Sequence, residues 1–209
     1  MTTMNSANRL NKDTWSDILS FIDPIPIESE DNTRFRVAQT NKEIYSSLQG
    51  SFTGQKIDLY GPPSDSSLTC LKNLRKINFW CGATDGVMKY FENVHDIVVM
   101  WGNNITDSGL QHLKNVKTLE LRGSNITDDG LAHLENVEEL FLKGTDRITD
   151  AGLAHLTKVK EIDLRMCDGI TDAGLTHLKN VEIIWCRDCK QITEAGKQIL
   201  KDKGVKVHD

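Results

Sequence analysis

The chain of 209 residues carries a formal net charge of −5, with 26% charged and 38% hydrophobic side chains. This hydrophobic content is compatible with a folded core. The negative charge argues against broad electrostatic capture of nucleic acid, because phosphate binding requires clustered positive charge.

The sequence lacks the features of a membrane or secreted protein. No stretch approaches the roughly 18 to 20 consecutive apolar residues that span a bilayer, and the opening segment MTTMNSANRLNKDTW has no apolar signal-peptide core. The cysteines are odd in number and sparse, which favours free thiols in a reducing, intracellular compartment. We therefore expect a cytoplasmic protein without a membrane partner. The cysteines are Cys70, Cys81, Cys167, Cys186 and Cys189.

The first 50 residues are predicted to form a small helical segment. Apolar residues recur there at the spacing of a short amphipathic helix, which Pro24 and Pro26 end. A second helical stretch is predicted over residues 33–48, after a polar gap. The apolar positions of the first helix are Leu10, Trp15, Ile18, Leu19 and Ile22.

Residues 51–209 are predicted to form a second unit made of internal repeats. NITDSGLQHLKNVKTLELRG returns three times with small changes, and its isoleucine recurs at Ile105, Ile126, Ile148, Ile170 and Ile192. The spacing is 21 and then 22 residues, within the range of leucine-rich repeats. Weaker copies upstream bring the expectation to about seven strands from residue 56 to residue 189. A closing strand is predicted at residues 205–207.

Each repeat combines a strand pattern with a helix pattern, and the two patterns share one apolar core. A single repeat buries too little to offset the entropy of ordering it, so neighbouring repeats must stack. Stacking predicts a right-handed α/β solenoid with a parallel sheet on the concave side and helices on the convex side. The Thr-Asp pair that opens each helix is expected to supply an N-cap oxygen and negative charge.

Two resemblances follow from these motifs. The repeats resemble the cysteine-containing and plain bacterial-type leucine-rich repeats with the pattern ITDxGLxHL, over about three quarters of the chain.

The helices ahead of them resemble an F-box, which docks on the Skp-type adaptor of a cullin ubiquitin ligase. The alternative is that residues 1–50 only cap the solenoid. The F-box positions are Leu10, Ile18, Leu19, Phe21, Ile22, Asp23-Pro24, Val37, Lys42 and Tyr45. The resemblance implies a docking face formed by Leu10, Trp15, Ile18, Leu19 and Ile22.

Alternation along each strand predicts which side chains face a partner on the concave surface. One predicted row runs through Asp58, Asn78, Val98, Glu120, Phe141, Asp163 and Trp185. The next runs through Tyr60, Trp80, Met100, Arg122, Lys143, Arg165 and Arg187. Exposed aromatic residues and arginines dominate binding hot spots, which favours a protein contact. We expect the four cations to hold acidic groups of the partner. The alternative is a charge ladder neutralised by Glu120, Asp163, Glu139 and Glu161.

No pattern indicates an enzyme, a metal site or a cofactor. Stacked histidines lie along a line rather than converging on one ion, and both cysteines of Cys186-x-x-Cys189 occupy repeat positions. Nucleotide-binding and nucleophile motifs are absent from the sequence. The histidines of the repeat are His112, His133, His155 and His177.

The sequence thus predicts a monomeric, non-catalytic subunit that recognises the substrate of a ubiquitin ligase. The adaptor would dock on the amino-terminal helices and a protein target on the concave face. The alternative is a free-standing binding scaffold or inhibitor with a capped end.

Overall fold

The computed structural model describes residues 35–37, 56–59, 74–80, 82–100 and 104–209, with side chains at Asp58 and throughout the last three ranges. In these residues, nine parallel strands form one sheet in chain order. The seven strands predicted between residues 56 and 189 are confirmed, and so is the closing strand. The strands are β1 (Phe35–Val37), β2 (Lys56–Leu59), β3 (Lys76–Phe79), β4 (Asp96–Val99), β5 (Thr118–Leu121), β6 (Glu139–Phe141), β7 (Glu161–Asp163), β8 (Ile183–Trp185) and β9 (Lys206–His208).

A short helix precedes each strand from β4 to β9, and all but the last helix have a single turn. A 3₁₀ turn at Lys89–Phe91 follows the first helix. The helices are α1 (Asp85–Met88), α2 (Asp107–Leu110), α3 (Asp128–Leu131), α4 (Asp150–Leu153), α5 (Asp172–Leu175) and α6 (Glu194–Asp202).

One continuous apolar core lies between the sheet and the helices. Each strand from β3 to β8 contributes a buried inward residue in register with its neighbours, and the helices contribute leucines that are equally buried. Because every layer is closed by the next, burial extends along the whole described stack. The inward strand residues, all fully buried, are Ile77, Ile97, Leu119, Leu140, Ile162 and Ile184.

The Thr-Asp pair that recurs in the repeats links adjacent helices. The carboxylate of Asp128 accepts the backbone N–H of Thr149 at 2.8 Å and its hydroxyl at 2.6 Å. We predicted these aspartates as charges for their own helices, whereas both carboxylate oxygens bond to the following repeat. We call each such contact an Asp–Thr clasp. The clasps are Asp85–Thr106, Asp107–Thr127, Asp128–Thr149, Asp150–Thr171 and Asp172–Thr193.

The predicted N-caps are confirmed at Thr106, Thr149 and Thr171, whose hydroxyls accept a backbone N–H of the first helical turn. Thr127 makes no such bond. The clasp also explains the glycine that follows. A Cβ on Gly174 would lie 2.2 Å from Oδ1 of Asp150, so the repeat has no room for a side chain at that position.

The last described repeat departs from this pattern. Glu194 stands where the other repeats have the clasping aspartate, and it bonds instead to Lys197 within α6. Lys197 also pairs with Asp209, which ties the helix to the residue after β9. The side chain at the clasp position therefore turns back onto its own repeat.

The prediction of a helix over residues 33–48 is wrong at Phe35–Val37. These residues form β1, which pairs in parallel with β2. The remainder of that stretch lies outside the described residues, as do the predicted adaptor-binding positions Leu10, Trp15, Ile18, Leu19 and Ile22. The predicted docking face therefore stays a prediction.

Candidate partner-binding surface

The face of the sheet turned away from the helices carries the first predicted row, which we call the central row. Strand register places Asn78, Glu120, Phe141 and Trp185 in line, as predicted from alternation. The same register extends the row to His208, which the sequence analysis did not include. We call this side of the sheet the open sheet face.

In the amino-terminal part of the central row, polar side chains form hydrogen bonds with side chains of the sheet itself. Asp58 and Asn78 are buried, and the Asn78 side-chain amide donates to Asp58 Oδ1 at 2.7 Å. The indole N–H of Trp80 donates to the same oxygen at 3.3 Å, although Trp80 keeps 37% of its surface exposed. Met100, which belongs with Trp80 to the second predicted row, is half-buried. Tyr60 of the same row lies outside the described residues.

Asp163, the last residue of β7, forms a partly buried ion pair with Arg165, two residues later in the chain. The carboxylate is 3% exposed and accepts both the Arg165 backbone N–H at 3.0 Å and Nε at 2.9 Å. A second guanidinium N–H bonds to the other oxygen. The bonds to Asp163 raise the pKa of Arg165 above its usual value. This pair matches the alternative we had kept open, in which the sheet neutralises its own cations.

The second predicted row contains four cations, and we call these four residues the basic row: Arg122, Lys143, Arg165 and Arg187. They differ in the bonds that their side chains make. Arg122 bonds to Glu120, two residues before it, as Arg165 does to Asp163. The side chain of Lys143 makes no hydrogen bond or ion pair with any described residue. Arg187 has a single 4.0 Å contact with Asp188. Lys143 and Arg187 are the members of this row with charge still available for a ligand.

An aromatic cluster, which we call the aromatic shelf, occupies the carboxyl-terminal part of the central row. Phe141 and Trp185 stand two strands apart, yet their ring centroids are 5.9 Å from each other. Their backbones are about 9.6 Å apart at that separation, so the rings lean together over Asp163. His208 stacks on the other side of Trp185 with centroids 5.3 Å apart. Within the shelf, Phe141 and Trp185 are half-buried and His208 is exposed.

Glu139 and Glu161 lie across the central row from the cations, and we call them the acidic row. They are the first residues of β6 and β7 and stand in register with each other. Glu139 accepts a bond from the Thr118 hydroxyl at 3.2 Å, and Glu161 bonds to no described residue. The alternative of a neutralised charge ladder had included these two carboxylates. Neither forms an ion pair with a described cation of the basic row, because the aromatic shelf lies between the two rows.

Three residues after the ends of β7 and β8, beside the shelf, non-glycine residues adopt a left-handed backbone conformation. Met166 and Asp188 have φ of 62°, whereas the equivalent positions in earlier repeats are Gly123 and Gly144. Residues other than glycine rarely adopt this backbone conformation. Met166 is 48% exposed and adds an apolar side chain to the edge of the basic row.

The described cysteines, Cys167, Cys186 and Cys189, are buried free thiols, as their repeat positions predicted. The Sγ atoms of Cys167 and Cys189 donate to the carbonyls of Leu142 and Leu164 in the preceding repeat. Burial raises the pKa of Cys167 to about 12 and that of Cys186 to about 11, so neither is a thiolate at neutral pH. Within the described ranges, no three His, Cys, Asp or Glu side chains converge as a metal site.

The repeat pattern and the fold agree with known proteins. A leucine-rich-repeat family model matches residues 112–134 and 155–179. No curated protein sequence matches the chain. A chain of the yeast Rad7–Elc1 complex superposes with a TM-score of 0.59 at 16% identity, over 76% of this chain and 50% of that one. The fold is a leucine-rich-repeat solenoid.

A second structural neighbour of the solenoid is a chain of the TLR13–ssRNA13 complex. Its TM-score is 0.60 at 16% identity, and the match covers 84% of this chain and 27% of that one. The solenoid thus spans half or less of the length of these relatives. Neither identity reaches a level that shows more than the fold. In the described part of the solenoid, the longest helix is far too short and polar to cross a bilayer.

Proposed function

We propose that this solenoid is a non-catalytic recognition module that binds a protein through the open sheet face of β6–β9. The main observation that supports this proposal is the aromatic shelf of Phe141, Trp185 and His208, which lies on a sheet face rather than in the core. Aromatic side chains beside cations are typical of binding hot spots. Solenoids of this kind use the sheet side as an extended binding surface.

We propose further that the module is the substrate-recognition subunit of a cullin-type ubiquitin ligase in the cytoplasm. A Skp-type adaptor would dock on Leu10, Trp15, Ile18, Leu19 and Ile22, and the target would lie on the open sheet face. The F-box resemblance of the amino-terminal sequence supports this proposal. The superposition on a chain from the Rad7–Elc1 complex is compatible with it, since that complex joins two proteins.

A free-standing scaffold is the second candidate, and one observation favours it. Residues 35–37 fall inside the F-box-like stretch, yet they form β1 and pair with β2. A strand in this place covers the edge of β2, as the cap of a solenoid does. The amino-terminal segment would then stabilise the repeats without binding an adaptor.

Co-purification with a purified Skp-type adaptor tests the adaptor assignment. We expect the full chain to retain the adaptor stoichiometrically and the Ile18→Asp, Leu19→Asp double variant to lose it. Lys179→Glu, an exposed residue on the helix side, serves as the control and should retain it. Equal capture by the double variant, or no capture by a folded wild type, would refute the docking face and favour the scaffold.

Site-specific photocrosslinking tests the use of the open sheet face. A photoreactive phenylalanine analogue at Phe141 or Trp185 should crosslink to a protein partner in cells, whereas the same analogue at Lys179 should not. Equal yields at the three positions would contradict binding through the aromatic shelf.

A further inference from the structure

Three parallel rows of different chemistry lie across β6–β9 on the open sheet face. Glu139 and Phe141 lie on β6, and Lys143 follows two residues after the end of that strand. Side chains at every second residue of an extended chain are about 6.6–6.8 Å apart on one face. Strand register repeats the order with Glu161 and Asp163 on β7, and the backbone bond from Gly144 N–H to the Arg165 carbonyl continues the pairing beyond the two strands to Arg165. The acidic row, the aromatic shelf and the basic row therefore run side by side, at right angles to the strands.

The charges of the outer rows are available to a ligand. Glu161 and Lys143 make no side-chain bond with any described residue, and Arg187 reaches only Asp188, at 4.0 Å. In contrast, Asp163 is 3% exposed and is occupied by Arg165. Asp163 therefore adds little charge to the surface of the shelf that a ligand would touch. The acidic row ends at Ile183, and Lys206 follows on β9.

This arrangement disfavours a nucleic acid. Aromatic rings beside cations are the elements of a stacking platform for single-stranded nucleic acid. Here, however, a base stacked on Phe141 would bring its phosphates within about 7 to 10 Å of the carboxylates of Glu139 and Glu161, where like charges repel. A protein segment can present both signs of charge, and its charges can follow the two rows.

We infer that the open sheet face of β6–β9 binds an extended protein segment with one acidic edge, one basic edge and an apolar side chain between them. This inference deepens the proposed function and rests on it. In an extended chain, successive side chains point to opposite sides, so a segment lying along the shelf presents alternate residues to the two rows. Acidic residues contact Lys143 and Arg187, and basic residues contact Glu139 and Glu161. The backbone of the segment lies over the shelf, and its apolar residue turns onto Phe141 and Trp185 instead of toward a row.

A peptide of alternating charge tests this recognition directly. The probe carries Asp at its odd positions and Lys at its even positions, with Phe at the centre. The control has the same composition, with the aspartates and the lysines sorted into two blocks. Binding to the full chain is followed in ¹H–¹⁵N spectra through the indole N–H of Trp185, which Trp185→Phe assigns. We expect the alternating peptide to shift this signal and to bind about tenfold more tightly than the block peptide.

Charge reversal separates recognition from a structural role. Lys143→Glu with Arg187→Glu should weaken binding of the alternating peptide about tenfold, and so should Glu139→Lys with Glu161→Lys. The variant with all four changes should bind it again within about threefold, because the peptide meets the reversed rows by running in the opposite direction. The matched control is Lys179→Glu with Lys201→Glu, two exposed residues on the helix side, and it should bind like the wild type.

Three results would overturn the inference: equal binding of the two peptides, no rescue in the fourfold variant, or a shift of the Trp185 signal by oligouridylate but by neither peptide. These results are distinct from a failure of the proposed function. If photocrosslinking from Phe141 captures a protein while neither peptide binds, the open sheet face recognises a partner of other chemistry. If neither experiment gives a signal, the proposed function fails as well.

Discussion

The helix side and the open sheet face of this solenoid are built from the same repeats but obey different rules. On the helix side, the same residue types return in each repeat and bond to the next one, as in the clasps Asp128–Thr149 and Asp150–Thr171. On the open sheet face, equivalent positions change from Asn78 to Phe141 to Trp185. Repetition therefore marks positions that bond adjacent repeats to each other. Variation marks positions that stacking does not constrain and that can serve binding.

The comparison also holds for asparagines and cysteines of the repeats. Asn115, Asn136 and Asn180 each donate a side-chain N–H to a carbonyl of the preceding repeat. Cys167 and Cys189 do the same with their thiols. These side chains satisfy backbone groups that a lone repeat would leave unpaired, so their recurrence needs no catalytic or metal-binding explanation.

The largest expected effect concerns the glycine beneath a clasp. Gly174→Ala should lower the free energy of unfolding by about 3 kcal/mol, because the new Cβ displaces Asp150 from its bonds with Thr171. Urea denaturation followed by circular dichroism measures this loss. Gly144→Ala is the control, since its φ of 74° is strained but no atom lies within 4 Å of the new Cβ. It should cost about 1 kcal/mol. Equal losses in the two variants would show that the close approach is unimportant.

A smaller effect is expected from the clasp itself, and adjacent residues offer a matched pair. Asp128→Ala removes two hydrogen bonds to Thr149 and should cost about 2 kcal/mol. Asp129→Ala makes the same chemical change one residue later, where the carboxylate is exposed and unbonded among the described residues, and should stay within about 0.5 kcal/mol. Similar unfolding curves for the two variants would contradict the clasp.

The basic row provides the next test, because the comparison divides its members. Arg165→Ala should cost about 1.5 kcal/mol, since it removes the guanidinium hydrogen bonds from the buried carboxylate of Asp163 while water reaches the partly exposed pair. Lys143→Ala and Arg187→Ala should each change the free energy of unfolding by less than about 0.5 kcal/mol. Thermal unfolding of the three variants distinguishes the structural arginine from the cations assigned to a ligand. A loss at Lys143 as large as that at Arg165 would remove this distinction.

The smallest effect is electrostatic and depends on pH. Glu138 pairs with Lys117 and Lys160 from the two neighbouring repeats, and its hydrogen bonds with Lys160 and then Lys117 lower its pKa to about 2. A carboxyl whose pKa falls on folding stabilises the protein above its unfolded pKa, near 4.5, and loses that contribution as the pH falls toward 2. The stability difference between wild type and Glu138→Gln should therefore be constant near neutral pH and shrink between pH 4.5 and 2. A difference that does not change with pH in this window would exclude the ion pair as its source.

The repeat spacing alone predicted the stacked strands and the register of the central row from Asn78 to Trp185. It failed at Phe35–Val37, where an apparent helix pattern is a strand paired with β2. Three residues carry too little periodicity to distinguish the two structures, and pairing with a neighbouring strand decided the outcome. The aromatic shelf was predicted in part, because Phe141 and Trp185 follow from alternation. His208 was missed because the row was not followed into the closing strand.

What the sequence determined by itself is the set of buried positions and the order of the layers. Alternation in strands and the recurring leucines of the helices fix which side chains lie inside, and identical units can stack in only one register without exposing them. What only the tertiary structure decided is the pairing of polar groups. Asp128 bonds to the next repeat, Arg165 bonds to Asp163, and the side chain of Lys143 bonds to no described residue, although all three stand at regular repeat positions. Strands about 4.8 Å apart offer each polar side chain several partners, and the packed rotamers select among them.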